Sequence, residues 1–332
     1  MDLERIDPRG LDDATASQIA DAMNATARAV GQKVAPMTAE NLIAQATYTH
    51  DDRPYDAMWL AREDSREVVG TAWVELPHWD NQHLGLAFCV VHPDSWGRGI
   101  GTALLDAQAG FAREQGRTML LTFCLRDKPA HALLTSYGFE VGQSQAQRRL
   151  YPRELDYGRI QTLADDAAAK AGGYELVRLD GPAPDDWLDE LVNIFEAIND
   201  APNDDIEITP DVFSVERIRQ YESAMSHRRS HLYRLMARHR DSGEWAGHTI
   251  LCVDELRPGM AFQEDTTVVA RHRGHRLGMW LKATMLLWMR DLGVDLETID
   301  TWNAESNAHM IAVNDELGCI VNARGLALQL HL

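Results

Sequence analysis

WGRGIGTALLDA, residues 96–107, decides how this chain is read. Gly97, Gly99 and Gly101 stand directly ahead of a run with helical apolar spacing, carried by Leu104, Leu105, Ala109 and Phe111. Glycine in a first helical turn costs about 1 kcal/mol against alanine, so three of them ask for a reason. The valines and aromatics before His92 predict a strand, which places the glycines at a strand-to-helix turn. A helix start carries unpaired N–H groups and the positive end of the helix dipole. Backbone without Cβ atoms lets an anion come close, so the stretch predicts phosphate binding. The bland alternative is a tight turn whose glycines serve packing. No lysine completes a Walker pattern, and the glycine spacing is not that of the dinucleotide fingerprint.

A relative of this stretch, RGHRLGMWLKA, occupies residues 273–283. Other segments recur in the same order. LERI (3–6) matches LVRL (176–179), MTAENL (37–42) matches ITPDVF (208–213), and WLAR (59–62) matches LMAR (235–238). VVGTAWVEL matches WAGHTILCV around Gly70 and Gly247, and YGFE (137–140) matches LGCI (317–320). The offset is nearly constant, so the chain reads as a tandem duplication of one α/β unit. The expected division is 1–152, a linker helix over 153–173 stopped by Gly172 and Gly173, and 174–332. Two matching loops in two repeats favour a shared ligand over packing alone.

The totals agree with two domains: 332 residues, 45% hydrophobic and 25% charged. A net charge of −19 argues against nucleic acid and anionic lipid as partners. No apolar run is long enough for a membrane helix, and the polar start MDLERIDPRG does not read as a signal peptide. Cys89, Cys124, Cys252 and Cys319 are isolated in apolar contexts, which suggests reduced thiols in a cytoplasmic protein and no metal site. A monomer or homodimer is expected.

With Val91 and Pro93 ahead of it, the loop resembles the acetyl-CoA loop of the Gcn5-related N-acetyltransferase superfamily, which reads R/Q-x-x-G-x-G/A between a strand and a helix. Trp96 stands where that pattern has Arg or Gln. The second copy keeps Arg273 but carries Arg276 at the first family glycine. The chain also looks like actinobacterial tandem acetyltransferases, through HRGHRLG and TWNAESNAHMIAVNDELG, and more distantly like mycothiol synthases. The resemblance implies two tandem domains, each with a central, mostly antiparallel mixed sheet flanked by helices. In each the fourth and fifth strands splay: 84–91 and 120–123, then 262–270 and 297–302. It implies acetyl-CoA as cosubstrate and a small-molecule amine as acceptor.

The implied cofactor contacts are Val90, Val91, Gly97, Arg98, Gly99, Ile100, Gly101 and Thr102 in the first half. In the second they are Val268, Val269, Arg273, Gly274, His275, Arg276, Leu277, Gly278, Met279 and Asn307. The family's acid, a tyrosine four residues before the closing glycine, is Leu134 in one half and Asn314 in the other. Asn314 alone of the two can hydrogen-bond a leaving thiolate.

Acyl transfer to an amine also needs a base. FQEDTTVV places Gln263, Glu264 and Asp265 at the start of the second half's fourth strand; strict alternation would set Gln263 and Asp265 on one face and Glu264 on the other. The first half's counterpart, HLGLAFCVV, has no carboxylate, and Glu75 is the nearest. We therefore expect catalysis in the second half, by Glu264, Asp265 and Asn314, with Gln263, Trp302 and Asn303 lining the acceptor pocket. The competing readings are an idle acyl-CoA-binding protein and an acyltransferase with another donor or acceptor.

Overall fold

The computed structural model describes residues 2–63 and 67–332. It is a mixed α/β structure of two compact units. The first comprises residues 1–145, 203–211 and 323–332; the second comprises 146–202 and 212–322.

In the first unit the strands are β1 (Asp2–Ile6), β2 (Ala57–Arg62), β3 (Val68–Glu75), β4 (Leu84–Val91) and β5 (Met119–Leu125). The helices are α1 (Asp13–Ala29), α2 (Ala39–Thr47), α3 (Ile100–Glu114) and α4 (Pro129–Tyr137). β1 to β4 pair antiparallel in sequence order. β4 meets β5 in parallel, with pairs from Leu84–Met119 to Leu86–Leu121, and the rest of β4 leaves its neighbour. Asp12 and Thr38 cap α1 and α2 by accepting from Thr15 and Asn41 N–H. The face under α3 is filled by Leu104, Leu105, Ala109 and Phe111 among others.

β6 (Glu140–Leu150) begins in the first unit and ends in the second. There follow α5 (Tyr157–Lys170), β7 (Tyr174–Asp180), α6 (Leu188–Glu196), α7 (Val215–His227), β8 (Ser230–His239), β9 (Trp245–Asp254) and β10 (Met260–Val268). α8 (Leu277–Leu292), β11 (Thr298–Ala304), α9 (Ala308–Leu317) and β12 (Ile320–His331) complete the chain. β7, β8, β9 and β10 pair antiparallel, and β10 meets β11 in parallel from Met260–Thr298 to Phe262–Asp300 before splaying. The expected α/β class, the mostly antiparallel sheet and the splayed fourth and fifth strands are all present.

The units differ from a cut at 152 and 173 in three ways. The last strand of each repeat is not kept by its own half: residues 146–150 of β6 belong to the second unit, and residues 323–332 to the first, where β12 pairs with β5 from Gly325–Leu125 to His331–Met119. In the second unit Arg149 of β6 grips Asp300 of β11 through two hydrogen bonds of 2.6 Å, and Gln147 donates to the same carboxylate. The helix expected as a linker, α5, is a core element: Ile160, Ala164, Ala167 and Ala171 pack with α8.

Residues 203–211, from the connection between α6 and α7, also belong to the first unit. Asn81 holds Thr209 through three hydrogen bonds, and Gly142 leaves room for Ile206, which would lie 2.4 Å from an added Cβ.

Gly70 and Gly247 occupy matching places on β3 and β9, opposite Val91 and Val268. A Cβ on Gly247 would fall 2.3 Å from the Thr267 carbonyl oxygen; on Gly70 the nearest atom, Val90 O, is 3.2 Å away. Gly247→Ala is expected to destabilise the chain by about 1–3 kcal/mol, because the obstacle is backbone, and Gly70→Ala by less. Urea unfolding of the full chain measures both.

Candidate active site

The two glycine loops have matching geometry. Gly97 and Gly99 have φ of 73° and 80°, and Gly274 and Arg276 have φ of 86° and 56°. Gly99 and Arg276 are the left-handed residues immediately before α3 and α8. Arginine thus holds a conformation glycine adopts freely, at a cost of order 1 kcal/mol. The first intrahelical bonds run from Ala103 to Gly99 O and from Trp280 to Arg276 O, both 3.0 Å. The N–H groups of Ile100, Gly101 and Thr102, and of Leu277, Gly278 and Met279, therefore lack a carbonyl of their own helix. Ile100, Leu277 and Met279 bury their side chains and present backbone only. Exposed backbone at a helix N-terminus fits a pyrophosphate in both units.

Trp96 departs from the family pattern without changing the bonding. Its indole N–H donates to Val91 O at 2.7 Å, and Arg273 Nε donates to Val268 O at 2.9 Å. The Arg273 guanidinium also pairs with Asp200, and Arg98 with Glu63. Arg276 stands among the expected cofactor contacts. Its Nη2 instead lies between both carboxylate oxygens of Glu316, at 2.9 and 3.0 Å.

The strand backbones can be sorted by alternation. His92 N–H donates to Val69 O and Val269 N–H to Ala246 O. Antiparallel pairs alternate, so Val90 and Thr267 also turn their backbone groups toward β3 and β9. Val91 and Cys89 face the splay in the first unit, Val268 and Thr266 in the second. Of the expected backbone contacts, Val90 spends its groups inside the sheet, and Val269 donates to Ala246 O and accepts from His272 N–H.

The units differ most on β4 and β10. β4 pairs with β3 without interruption, and Phe88 stacks on Trp73, which stacks on Tyr55, at 5.6 and 5.4 Å between rings. β10 shifts register between Gln263 and Thr266, while β9 advances only from Leu251 to Thr249. One extra residue on β10 makes this a β-bulge, and Glu264 and Asp265 are the residues inside it. The expected strict alternation fails here. Gln263 is buried, donating to Thr249 Oγ1 at 3.0 Å and Ile250 O at 2.5 Å, and so braces the bulge.

Glu264 is half-buried beside Cys252, whose thiol donates to Oε1 at 3.9 Å, and the Tyr221 hydroxyl of α7 stands 3.6 Å from the same sulfur. Burial, and then the charge of Asp265, push the Glu264 carboxyl up to about 7, against a smaller opposing pull from Arg228. A carboxylate that exchanges its proton near neutrality can accept one from an ammonium group.

Asn314 is fully buried on α9, and its amide nitrogen donates to Asn303 Oδ1 at 2.8 Å. It acts on Asn303 and is not an exposed donor. Asn307 was expected to face the cofactor; it caps α9, accepting from Met310 N–H at 3.1 Å. Trp302 and Asn303 lie on the part of β11 beyond its pairing with β10 and so border the splay. In the first unit Leu134 is buried, and the Tyr137 hydroxyl is bound to Asp106 at 2.7 Å.

Among the described residues no helix is long and apolar enough to cross a membrane. The profile of the acetyltransferase (GNAT) family matches residues 26–139. A comparison with curated proteins finds no match. Among solved structures, a tandem GNAT protein from the clavulanic acid biosynthesis pathway is 25% identical over 99% of this chain and 98% of its own, with a TM-score of 0.79. A Gcn5-related N-acetyltransferase from Sphaerobacter thermophilus is 15% identical over 99% of this chain and 95% of its own, TM-score 0.71. A glucosamine N-acetyltransferase region in a fungal multi-domain β-N-acetylglucosaminidase is 14% identical, covering 99% of this chain and 38% of that one, TM-score 0.66. The last two speak for the fold alone. The family match over residues 26–139, the same strand and loop plan in the second half, and the full-length tandem likeness support an acyltransferase of the GNAT superfamily with two tandem domains.

Proposed function

We propose that the chain transfers an acetyl group from acetyl-CoA to the amine of a small molecule, and that the second unit does the chemistry. The observation that carries this is the bulge on β10, which places Glu264, with its pKa near neutrality, where the first unit has Phe88 in an aromatic stack.

Gly274, His275, Arg276, Leu277, Gly278 and Met279 would hold the pyrophosphate through backbone N–H groups at the start of α8. Thr266 and Val268 would meet the pantetheine amides from the splayed edge of β10. When bound, the thioester supplies an activated acyl group. Glu264 takes a proton from the acceptor's ammonium, so that a neutral amine can attack. Asp265 keeps Glu264 basic enough by its charge. Asn303, fixed by Asn314, and Trp302 border the reacting end. The first unit would bind CoA through Gly97, Arg98, Gly99, Ile100, Gly101 and Thr102 without turning it over.

Two substitutions separate the halves. Gly278→Glu is expected to abolish thiol release from acetyl-CoA, since no atom lies within 4 Å of the added Cβ and the carboxylate lands on the anion loop. Thr102→Glu, an exposed position at the matching helix start, is expected to leave release unchanged. The opposite pair of results, measured with a thiol reagent and an amine panel, moves catalysis to the first unit. Tight CoA binding without thiol release for any amine favours an idle binding protein. Gly101 is unsuitable for this test, because its Cβ would fall 2.6 Å from Leu133 Cδ2.

A further inference from the structure

Under α6 and α7 the second unit buries more hydrogen-bonding capacity than it uses. Arg234 and His248 are fully buried on β8 and β9. Arg234 Nη1 donates to Glu222 Oε1 at 3.1 Å, but its Nε and Nη2 have no partner, and neither does either ring nitrogen of His248. Unmet donors in a dry interior each cost on the order of 1–3 kcal/mol, so a group of them calls for a function.

The free atoms are specific. Nε and Nη2 form one edge of the guanidinium, which matches the two oxygens of a carboxylate. The same chain uses that edge in this way elsewhere: Arg149 holds Asp300 with Nε and Nη2 at 2.6 Å each, and Arg153 holds Asp295 with Nε and Nη2 at 2.8 and 2.6 Å. On Arg234 the edge has no carboxylate of the protein.

Its place relative to the bulge is also fixed. Arg234 is the register partner of Ile250. Ile250 lies between Leu251 and Thr249, which pair with the residues on either side of Glu264 and Asp265. Arg234 therefore stands across one intervening strand from the bulge, about 10 Å between backbones. Phe195 of α6 covers the cluster, its ring centre 5.6 Å from the guanidinium carbon and 4.9 Å from the His248 ring.

We propose that the acceptor is a short amino acid, an amine that also carries a carboxylate, held on the Nε–Nη2 edge of Arg234 with its amine directed at Glu264. His248, which burial keeps neutral, supplies one further donor to the carboxylate. The Phe195 ring swings aside to admit the ligand. This rests on the second unit being the catalytic one.

The test uses the full chain and matched triplets: an α-, β- or γ-amino acid, its methyl ester and its decarboxylated amine. Binding is read as a rise in melting temperature at fixed ligand concentration, and turnover as thiol release from acetyl-CoA. The acids are expected to bind and react at least 10-fold better than their esters and amines, and Arg234→Lys, which keeps the charge but not the fork, is expected to reduce that preference about 10-fold or more. Equal response to acid, ester and amine in the wild type overturns the proposal, as does a preference that survives Arg234→Lys, or no stabilisation by any acid. Acid binding that depends on Arg234, with no thiol release, upholds the carboxylate site and refutes acetyl transfer instead. Turnover of bare amines with no preference for acids does the reverse.

Discussion

Glu264→Gln is expected to lower turnover by about 10²- to 10⁴-fold at pH 7.5, with the affinity for acetyl-CoA nearly unchanged. Glutamine keeps the size and one hydrogen-bond acceptor but cannot take a proton. The wild-type rate is expected to rise about tenfold per pH unit below about 7 and to level off above it, following ionisation of this carboxyl. The variant loses that limb of the profile. A variant with the same pH dependence as the wild type would assign the base elsewhere. Stability supplies a second readout. The folded pKa of Glu264, about 7, lies above its ordinary value of 4.5. Between these values the folded chain keeps a proton that the unfolded chain has released, so its contribution favours folding at the acid end and is lost as pH rises through about 7. Glu264→Gln is therefore expected to be more stable than the wild type at pH 8, with the advantage shrinking toward pH 5.

Asp300→Ala is expected to cost about 3–5 kcal/mol of stability, the largest effect of any single substitution considered. Asp300 has no solvent exposure, and the Arg149 side chain is 5% exposed. Removing the carboxylate strands a buried guanidinium and leaves the Gln147 amide without an acceptor. The double variant Arg149→Met/Asp300→Leu is expected to recover most of the loss, since an apolar pair of similar volume needs no counter-charge. Urea unfolding of the single and double variants measures this. A single variant within 1 kcal/mol of the wild type would mean that water reaches the pair.

The glycine loops were legible because a helix start that accepts glycine and faces an anion leaves its mark in consecutive residues. The repeated order of segments gave the two-fold plan, and the family resemblance implied the bounds of β4, 84–91, which the structure matches. Other features depend on pairing and leave little trace. QEDTT contains the bulge, but an extra residue is defined by what β9 does opposite it, so alternation misplaced Gln263. Asn307 and Asn314 share helical spacing, yet one is a cap and the other is buried against Asn303. Arg234 and His248 are marked in the sequence only as an arginine between Tyr233 and Leu235 and a histidine between Gly247 and Thr249; their burial follows from how the strands are covered. Trp96 looked like a defect in the phosphate pattern, and its indole simply replaces the arginine's hydrogen bond.

The interleaving of the last strands bears on how the chain is made. Residues 323–332 complete the first unit beside β5, yet they are synthesised after the whole of the second unit. During translation β5 offers an unsatisfied edge for almost the whole length of the second unit, and such edges recruit other strands. The pairing that closes the first unit also joins residues about 200 positions apart, a contact that forms slowly. The two repeats look like independent modules in sequence, but neither is a complete folding unit by itself. A break at the apparent domain boundary would leave one half without its closing strand and the other without Arg149.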